Sequence, residues 1–312
     1  MLFDMSGPRS DGNYSLCISD DSILRLGVID DIQKLHVTTH KLGMPPKRVT
    51  YDENSRLLCV GCIDNGLSIN RSSHRIETNM GNCIRFFDDS TFEEIDRFDL
   101  NPYEMVLSMI STRLKVENDQ SVLESGGVKA PSTSNKTEGN EMYCPFLVIG
   151  TAFGYPEEDE PSRGRIIVLK CSSDRNNESF SRRVKKVAEV QVKGGVFSIC
   201  PFYDGSILAS INSKTRVCKL IGGSDENEVL DLKIFGAGHH GHIMSLHVKS
   251  LAEDHGFYDA KKREQLAIVG DMVRSISVVK YYPEFETLEE IARDFNQNWV
   301  TAIEMLTDNT YL

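Results

Sequence analysis

Leu57-Leu58-Cys59-Val60-Gly61, Phe146-Leu147-Val148-Ile149-Gly150, Ile207-Leu208-Ala209-Ser210-Ile211 and Leu266-Ala267-Ile268-Val269-Gly270 are four versions of one phrase. Each is a short continuous apolar run, which periodicity alone cannot separate from a buried helical segment. Context decides for strand. An apolar strand precedes each phrase: Arg48-Val49-Thr50-Tyr51, Val106-Leu107-Ser108-Met109, Val196-Phe197-Ser198-Ile199 or Ile243-Met244-Ser245-Leu246. An amphipathic strand follows it: Cys83-Ile84-Arg85-Phe86, Arg165-Ile166-Ile167-Val168, Arg216-Val217-Cys218-Lys219 or Arg274-Ser275-Ile276-Ser277-Val278-Val279. Charged, alternating runs such as Phe92-Glu93-Glu94-Ile95-Asp96-Arg97-Phe98 and Leu288-Glu289-Glu290-Ile291-Ala292-Arg293 close the unit.

A four-stranded antiparallel unit repeated along a chain is the signature of a β-propeller. The gradient within the unit agrees, because inner strands are covered on both faces by neighbouring blades while the outermost strand meets water. The expected fold is all-β, with about five antiparallel four-stranded blades of an incomplete seven-bladed propeller. Gly61 and Gly150 are expected where inner strands crowd together at a positive φ.

The chain has 312 residues, 40% of them hydrophobic, enough for a real core. Its formal charge of −11 repels phosphate backbones and disfavours a nucleic-acid-binding surface. No apolar run approaches the length of a bilayer span, and Met1-Leu2-Phe3-Asp4-Met5 lacks the form of a signal peptide, so an intracellular protein is expected. Of the 8 cysteines, Cys17, Cys59, Cys83, Cys200 and Cys218 lie inside apolar strand phrases, where a thiol acts as a small hydrophobe. Cys59 and Cys62 have CxxC spacing but no second pair, and strand packing is the better reading.

Residues 1–33 contain strand phrases without a complete unit and read as the tail of something preceding. Polar stretches at 64–82 and 115–141 are expected to be disordered loops. Trp299-Val300-Thr301-Ala302-Ile303-Glu304-Met305-Leu306 reads as the first strand of another unit, so the repeat looks cut off.

Four longer phrases go beyond propeller grammar. They are Gly150-Thr151-Ala152-Phe153-Gly154-Tyr155-Pro156-Glu157-Glu158-Asp159-Glu160-Pro161, Leu208-Ala209-Ser210-Ile211-Asn212-Ser213, Gly270-Asp271-Met272-Val273-Arg274-Ser275 and Glu290-Ile291-Ala292-Arg293-Asp294-Phe295-Asn296-Gln297-Asn298-Trp299. Together with Ile29-Asp30-Asp31-Ile32-Gln33-Lys34-Leu35-His36, they closely resemble the large adaptor subunits of cullin-4 ubiquitin ligases, a family linked to DNA-damage repair. The large propeller subunits of splicing factor 3b and of the cleavage and polyadenylation machinery share the three-propeller plan and form the alternative.

The resemblance implies a non-enzymatic protein-interaction scaffold of nucleus and cytoplasm, without cofactor or metal. It implies that residues 1–33 end the second propeller and that 34–312 form most of the third. In this family the first and third propellers grip a helical segment of substrate-receptor proteins. Cullin-4 is carried by the second propeller, most of which lies outside this sequence, and nucleic acid is met only through partners, with no membrane contact. Carried over by motif, the receptor-facing residues are Ala152, Tyr155, Glu160, Ile243, Met244, Leu246, Met272, Arg274, Arg293 and Trp299. Aromatic, Met and Arg side chains suit such a surface. Ile243, Leu246 and Trp299 fit blade core equally well, whereas a lone buried Arg274 would be costly.

The sequence departs from the family at His239-His240-Gly241-His242, where Tyr and Asn are usual, and at Asp159, an added carboxylate. The histidines invite a metal reading, but neighbours on a strand point apart and no second cluster supplies further ligands. The run Arg182-Arg183-Val184-Lys185-Lys186 reads as a solvated outer strand, and no nucleophile motif, phosphate loop or paired carboxylate site is recognisable.

Overall fold

Alternating apolar contacts on two faces organise the structure. In the computed structural model the described residues are 2–3, 15–20, 23–29, 35–64, 67–70, 75–78, 81–118, 143–174, 181–222, 230–236, 243–250, 265–307 and 310–311. Sheet I joins β1 (Leu2–Phe3), β2 (Ser15–Asp20), β3 (Ile23–Ile29) and β4 (Leu35–Lys41) in that order. Sheet II is built from β5 (Pro46–Asp52), β6 (Leu57–Cys62), β9 (Cys83–Asp88) and β10 (Glu94–Asp99), with a separate hairpin of β7 (Leu67–Asn70) and β8 (Arg75–Thr78) between β6 and β9.

Sheet III contains β11 (Glu104–Asn118), β12 (Tyr143–Phe153), β13 (Gly164–Asp174) and β14 (Ser181–Val192). Sheet IV contains β15 (Val196–Phe202), β16 (Ser206–Ile211), β17 (Lys214–Gly222) and β18 (Asp231–Phe235). Sheet V contains β19 (Ser245–Ser250), β20 (Leu266–Asp271), β21 (Ile276–Tyr282) and β22 (Thr287–Arg293). A short hairpin of β23 (Met305–Thr307) and β24 (Thr310–Tyr311) follows. All pairings within the five sheets are antiparallel; the long β11 also pairs in parallel with β17, Val116 to Leu220, and so splices sheets III and IV.

The four diagnostic phrases fall on the second strands β6, β12, β16 and β20, as expected. β6 and β16 are buried along their whole length, while outer strand β10 is half-buried at best. Period-two alternation lets one strand serve two interfaces. Leu147 and Ile149 of β12 pack with Leu57, Cys59 and Phe86 of sheet II, and their neighbours Phe146 and Val148 pack with Ile199, Ile207 and Ala209 of sheet IV. Leu208 of β16 turns the other way, onto Ala267, Val269 and Tyr281 of sheet V. Face-to-face packing of successive four-stranded sheets is the blade arrangement of a β-propeller.

A β-bulge recurs in the first strand of four sheets. The register skips one residue between Pro46 and Arg48, Val106 and Ser108, Val196 and Ser198, and Ser245 and His247. The extra residues Lys47, Leu107, Phe197 and Leu246 occupy equivalent places, and none is buried. Bulges re-aim a side chain at a strand end, which here takes Leu246 out of the packed interior.

Several expectations change. Gly150 is required by crowding, since a Cβ there would lie 2.3 Å from Ser108 Oγ and 2.5 Å from Val196 Cγ1, but neither Gly61 nor Gly150 has positive φ. The expected loop at 64–82 contains the β7–β8 hairpin, and Lys115 to Asn118 continue β11; residues 119–142 lie outside the described residues. Strands β3 and β4 pair from Ile23 with Lys41 to Ile29 with Leu35, so the division at residues 33 and 34 falls inside sheet I. Residues 299–304 form no strand; they tuck Val300 and Ile303 against Gly270, where a Cβ would meet their side chains at 2.7 and 2.9 Å.

Candidate partner-binding surface

The turns that follow β12, β16 and β20 leave equivalent strand ends, so the topology places them at one end of sheets III, IV and V. Nearly every candidate residue lies on these turns or on the segments beside them. A buried carboxylate organises the sheet V group. Asp271, with no exposed surface, ends β20 and accepts the backbone N–H groups of Ile243 (2.7 Å), Met244 (3.1 Å), Val273 (2.9 Å) and Arg274 (2.9 Å). A charged acceptor serving four amide donors replaces the water that two turns would otherwise need. It also fixes Ile243 and Met244 against Met272 and Arg274, a link strengthened by Met272 N–H donating to Met244 O at 2.9 Å.

The segment after β22 completes this group. Ser275 N–H donates to Asn298 O at 3.0 Å and Val300 N–H to Asp271 O at 3.2 Å, anchoring both sides of Trp299. Trp299 is 63% exposed, Phe295 89% and Ile243 47%. Arg293 donates to Ser277 Oγ and pairs with Glu290; Arg274 is exposed. Hydrogen bonds from Asn296 N–H and then from the Ser275 hydroxyl hold the Asp294 carboxyl below the usual carboxylate range. Arg274, Arg293, Asp294, Phe295, Asn296 and Gln297 line a pocket of about 250 Å³. Two arginines and the exposed Phe295 ring around the pocket suit a protein side chain.

Sheet III contributes the second group. Tyr155 is half-buried, with its ring 5.7 Å from that of Tyr103 and 6.0 Å from that of Phe153; Glu160 is exposed on the same turn. Beneath them, Glu104 has no exposed surface and accepts from Arg165 Nε (2.8 Å), the Thr151 hydroxyl (2.6 Å) and Asn101 N–H (3.0 Å). That buried pair stiffens the base of the turn.

The ten expected residues therefore divide. Tyr155, Glu160, Ile243, Met244, Met272, Arg274, Arg293 and Trp299 reach the surface of one end, and Leu246 stands on the adjacent bulge. Trp299 and Ile243 are not blade core. Ala152 is 1% exposed and lies beneath Gly195, so its methyl supports the surface without presenting itself to a partner. Sequence reasoning assigned nothing to Asp271, Phe295, Tyr103 or Glu104. The available signal was a carboxylate placed directly after an apolar run, as in Val269-Gly270-Asp271.

Cys59 and Cys62 are both buried. Burial pushes the Cys59 thiol well above its ordinary value and Cys62 up to about 12, consistent with packing and opposed to redox or thiolate-ligand chemistry. His239, His240 and His242 lie outside the described residues. Among the described residues, no helix is long and apolar enough to cross a membrane.

DNA damage-binding protein 1 of Oryza sativa subsp. japonica is 33% identical over 298 residues, covering 96% of this chain and 22% of the relative. DNA damage-binding protein 1b of Arabidopsis thaliana is 32% identical over 298 residues, with the same 96% and 22% coverage. DNA damage-binding protein 1 of Solanum lycopersicum is 31% identical over 302 residues, again covering 96% and 22%. The chain thus spans about 22% of the length of these relatives. Residues 81–312, which include the whole candidate surface, match the CPSF A subunit region. With consecutive four-stranded propeller blades across that match, the chain belongs to the CPSF A subunit region family.

Proposed function

We propose that this chain is part of a non-enzymatic scaffold that acts as the substrate-receptor adaptor of a cullin-4 RING ubiquitin ligase linked to DNA-damage repair. The observation that carries the reading is the end of sheets III to V. There Tyr155, Ile243, Arg274, Phe295 and Trp299 stand together, the backbones of Ile243 and Arg274 held by the buried Asp271 carboxylate and those beside Trp299 by hydrogen bonds to Ser275 and Asp271. Rigid turns presenting aromatic, apolar and arginine side chains lower the ordering cost of binding a protein segment. The similarity to proteins named DNA damage-binding protein 1 supports the same assignment.

On this reading a helical segment of a receptor protein lies across the surface, cullin-4 binds a second propeller, and nucleic acid is reached through partners. The protein works in nucleus and cytoplasm. A second reading, a propeller scaffold of an RNA-processing complex, is favoured by the family match itself. Mass spectrometry of proteins recovered with the endogenously tagged protein separates the two. Cullin and receptor subunits support the first; cleavage, polyadenylation or splicing subunits in their place overturn it.

A further inference from the structure

The two groups of surface residues sit on different sheets, and one side chain joins them. Asn212 forms the β16–β17 turn, with φ of 46°, a left-handed conformation that Asn tolerates better than most residues. Its Nδ2 donates to Pro161 O at 2.8 Å, in the acidic turn of sheet III. Its Oδ1 accepts Gly195 N–H at 2.6 Å, and its backbone N–H donates to Gly195 O at 3.1 Å. Its backbone carbonyl accepts Ser245 N–H at 2.8 Å, at the start of β19 beside Met244. Sheets III, IV and V therefore meet on one residue.

The neighbouring glycines are shaped around this carboxamide. Gly194 has φ of +128°, and a Cβ there would lie 2.6 Å from Asn212 Cγ and 2.7 Å from its Oδ1. A Cβ on Gly195 would lie 3.0 Å from Ala152 Cβ and 3.3 Å from Pro161 Cβ. The Gly194–Gly195 pair thus leaves room for the amide to reach across it to Pro161, while Ala152 fills the space beneath.

We infer that Asn212 is a positioning residue, whose carboxamide sets residues 154–163, with Tyr155 and Glu160, in register with the Ile243–Leu246 side of the surface. It touches no partner itself. Only Asn combines an accessible left-handed turn with one donor and one acceptor at this reach: Asp loses the donor to Pro161, and Gly keeps the turn but loses both side-chain bonds. The consequence for binding rests on the receptor-adaptor reading; the consequence for the turn does not.

The test measures amide hydrogen exchange in the whole protein carrying Asn212→Gly, Asn212→Asp or Gly194→Ala, beside affinity for a cullin-4 substrate-receptor subunit. In Asn212→Gly and Gly194→Ala the amides of Gly195, Glu158 and Ser162 should exchange about tenfold faster or more, the change expected when roughly one hydrogen bond's worth of protection is lost; in Asn212→Asp, which keeps the acceptor of Gly195 N–H, the amides of Glu158 and Ser162 should do so. Amides within β16, β17 and β20 should not change. Receptor affinity should fall about tenfold. Adding Tyr155→Ala to Asn212→Gly should then cost less than about twofold further, whereas Arg274→Ala keeps its full effect. Unchanged exchange at Glu158 and Ser162, or equal acceleration throughout sheet IV, overturns the positioning role. Accelerated exchange at the turn with no effect of Tyr155→Ala or Arg274→Ala on receptor binding leaves the clasp standing and overturns the receptor reading.

Discussion

Replacing Asp271 should loosen one half of the surface and cost the whole protein measurable stability. Asp271 is fully buried and accepts four backbone N–H groups at 2.7 to 3.1 Å, from Ile243, Met244, Val273 and Arg274. A hydrogen bond to a charged group contributes about 1.5–3 kcal/mol. Ile243, Val273 and Arg274 are exposed, so their freed amides can turn toward water, and the loss corresponds to one or two bonds and not all four. Asp271→Ala should therefore destabilise by about 3 kcal/mol, or roughly 6 °C in Tm for a chain of this size.

Asp271→Asn is the sharper probe. Its amide oxygen can keep two of the donors, but its NH2 then faces the other two, so the loss should be at least half that of Ala. Urea unfolding gives both values. Limited trypsin digestion reports the local effect as faster cleavage after Arg274. A stable Asp271→Asn variant with unchanged cleavage would refute the claim that this carboxylate holds the two turns together.

Further consequences follow from buried charge and burial itself. Glu104→Ala strands Arg165 beside Glu189 alone, and urea unfolding should show a loss of about 3 kcal/mol, near the lower end for a broken buried pair; a loss below about 1 kcal/mol would contradict the pairing. Burial disfavours the charged form of Asp88, but the Ser90 and Thr91 hydrogen bonds and the Arg182 charge outweigh it and hold its carboxyl well below the usual range. Its contribution is therefore present above the unfolded value of about 4 and is lost as pH falls through the folded value, so the midpoint in urea should drop at acid pH less steeply in Asp88→Asn than in the parent. Burial pushes the Cys218 thiol up to about 12, and Cys59 higher than usual as well, so at pH 8 a thiol reagent should label both only after unfolding; rapid labelling of the native protein would show those strands to be open.

The blade order was legible because each sheet spends its apolar residues in the same sequence: a covered second strand, an amphipathic third and a charged fourth. Leu57 to Cys62 and Glu94 to Asp99 are the extremes of that gradient. The bulge at Leu246 was not legible, since one extra residue between Ser245 and His247 leaves the apolar pattern unchanged while turning a side chain. Trp299 to Glu304 imitated a strand because Val300 and Ile303 are apolar; they pack on Gly270 from an extended tail without pairing.

The candidate surface was legible only through its longer phrases. Polar anchors such as Asp271 and Asn212 look like ordinary turn residues in one dimension, because the N–H groups and carbonyls they serve come from other strands. Tyr103 and Glu104, distant in sequence from Tyr155 and Arg165, meet them only when β11 lies beside β12.

The most direct test of the scaffold account is the affinity of the whole protein for a substrate receptor and for cullin-4, measured side by side for Arg274→Ala and Trp299→Ala. The Tm of each variant, measured on the same samples, verifies folding. The account predicts receptor binding weakened by about 2 kcal/mol or more with cullin binding within about 0.5 kcal/mol of the parent. Equal losses for both partners, or none for either, would contradict it.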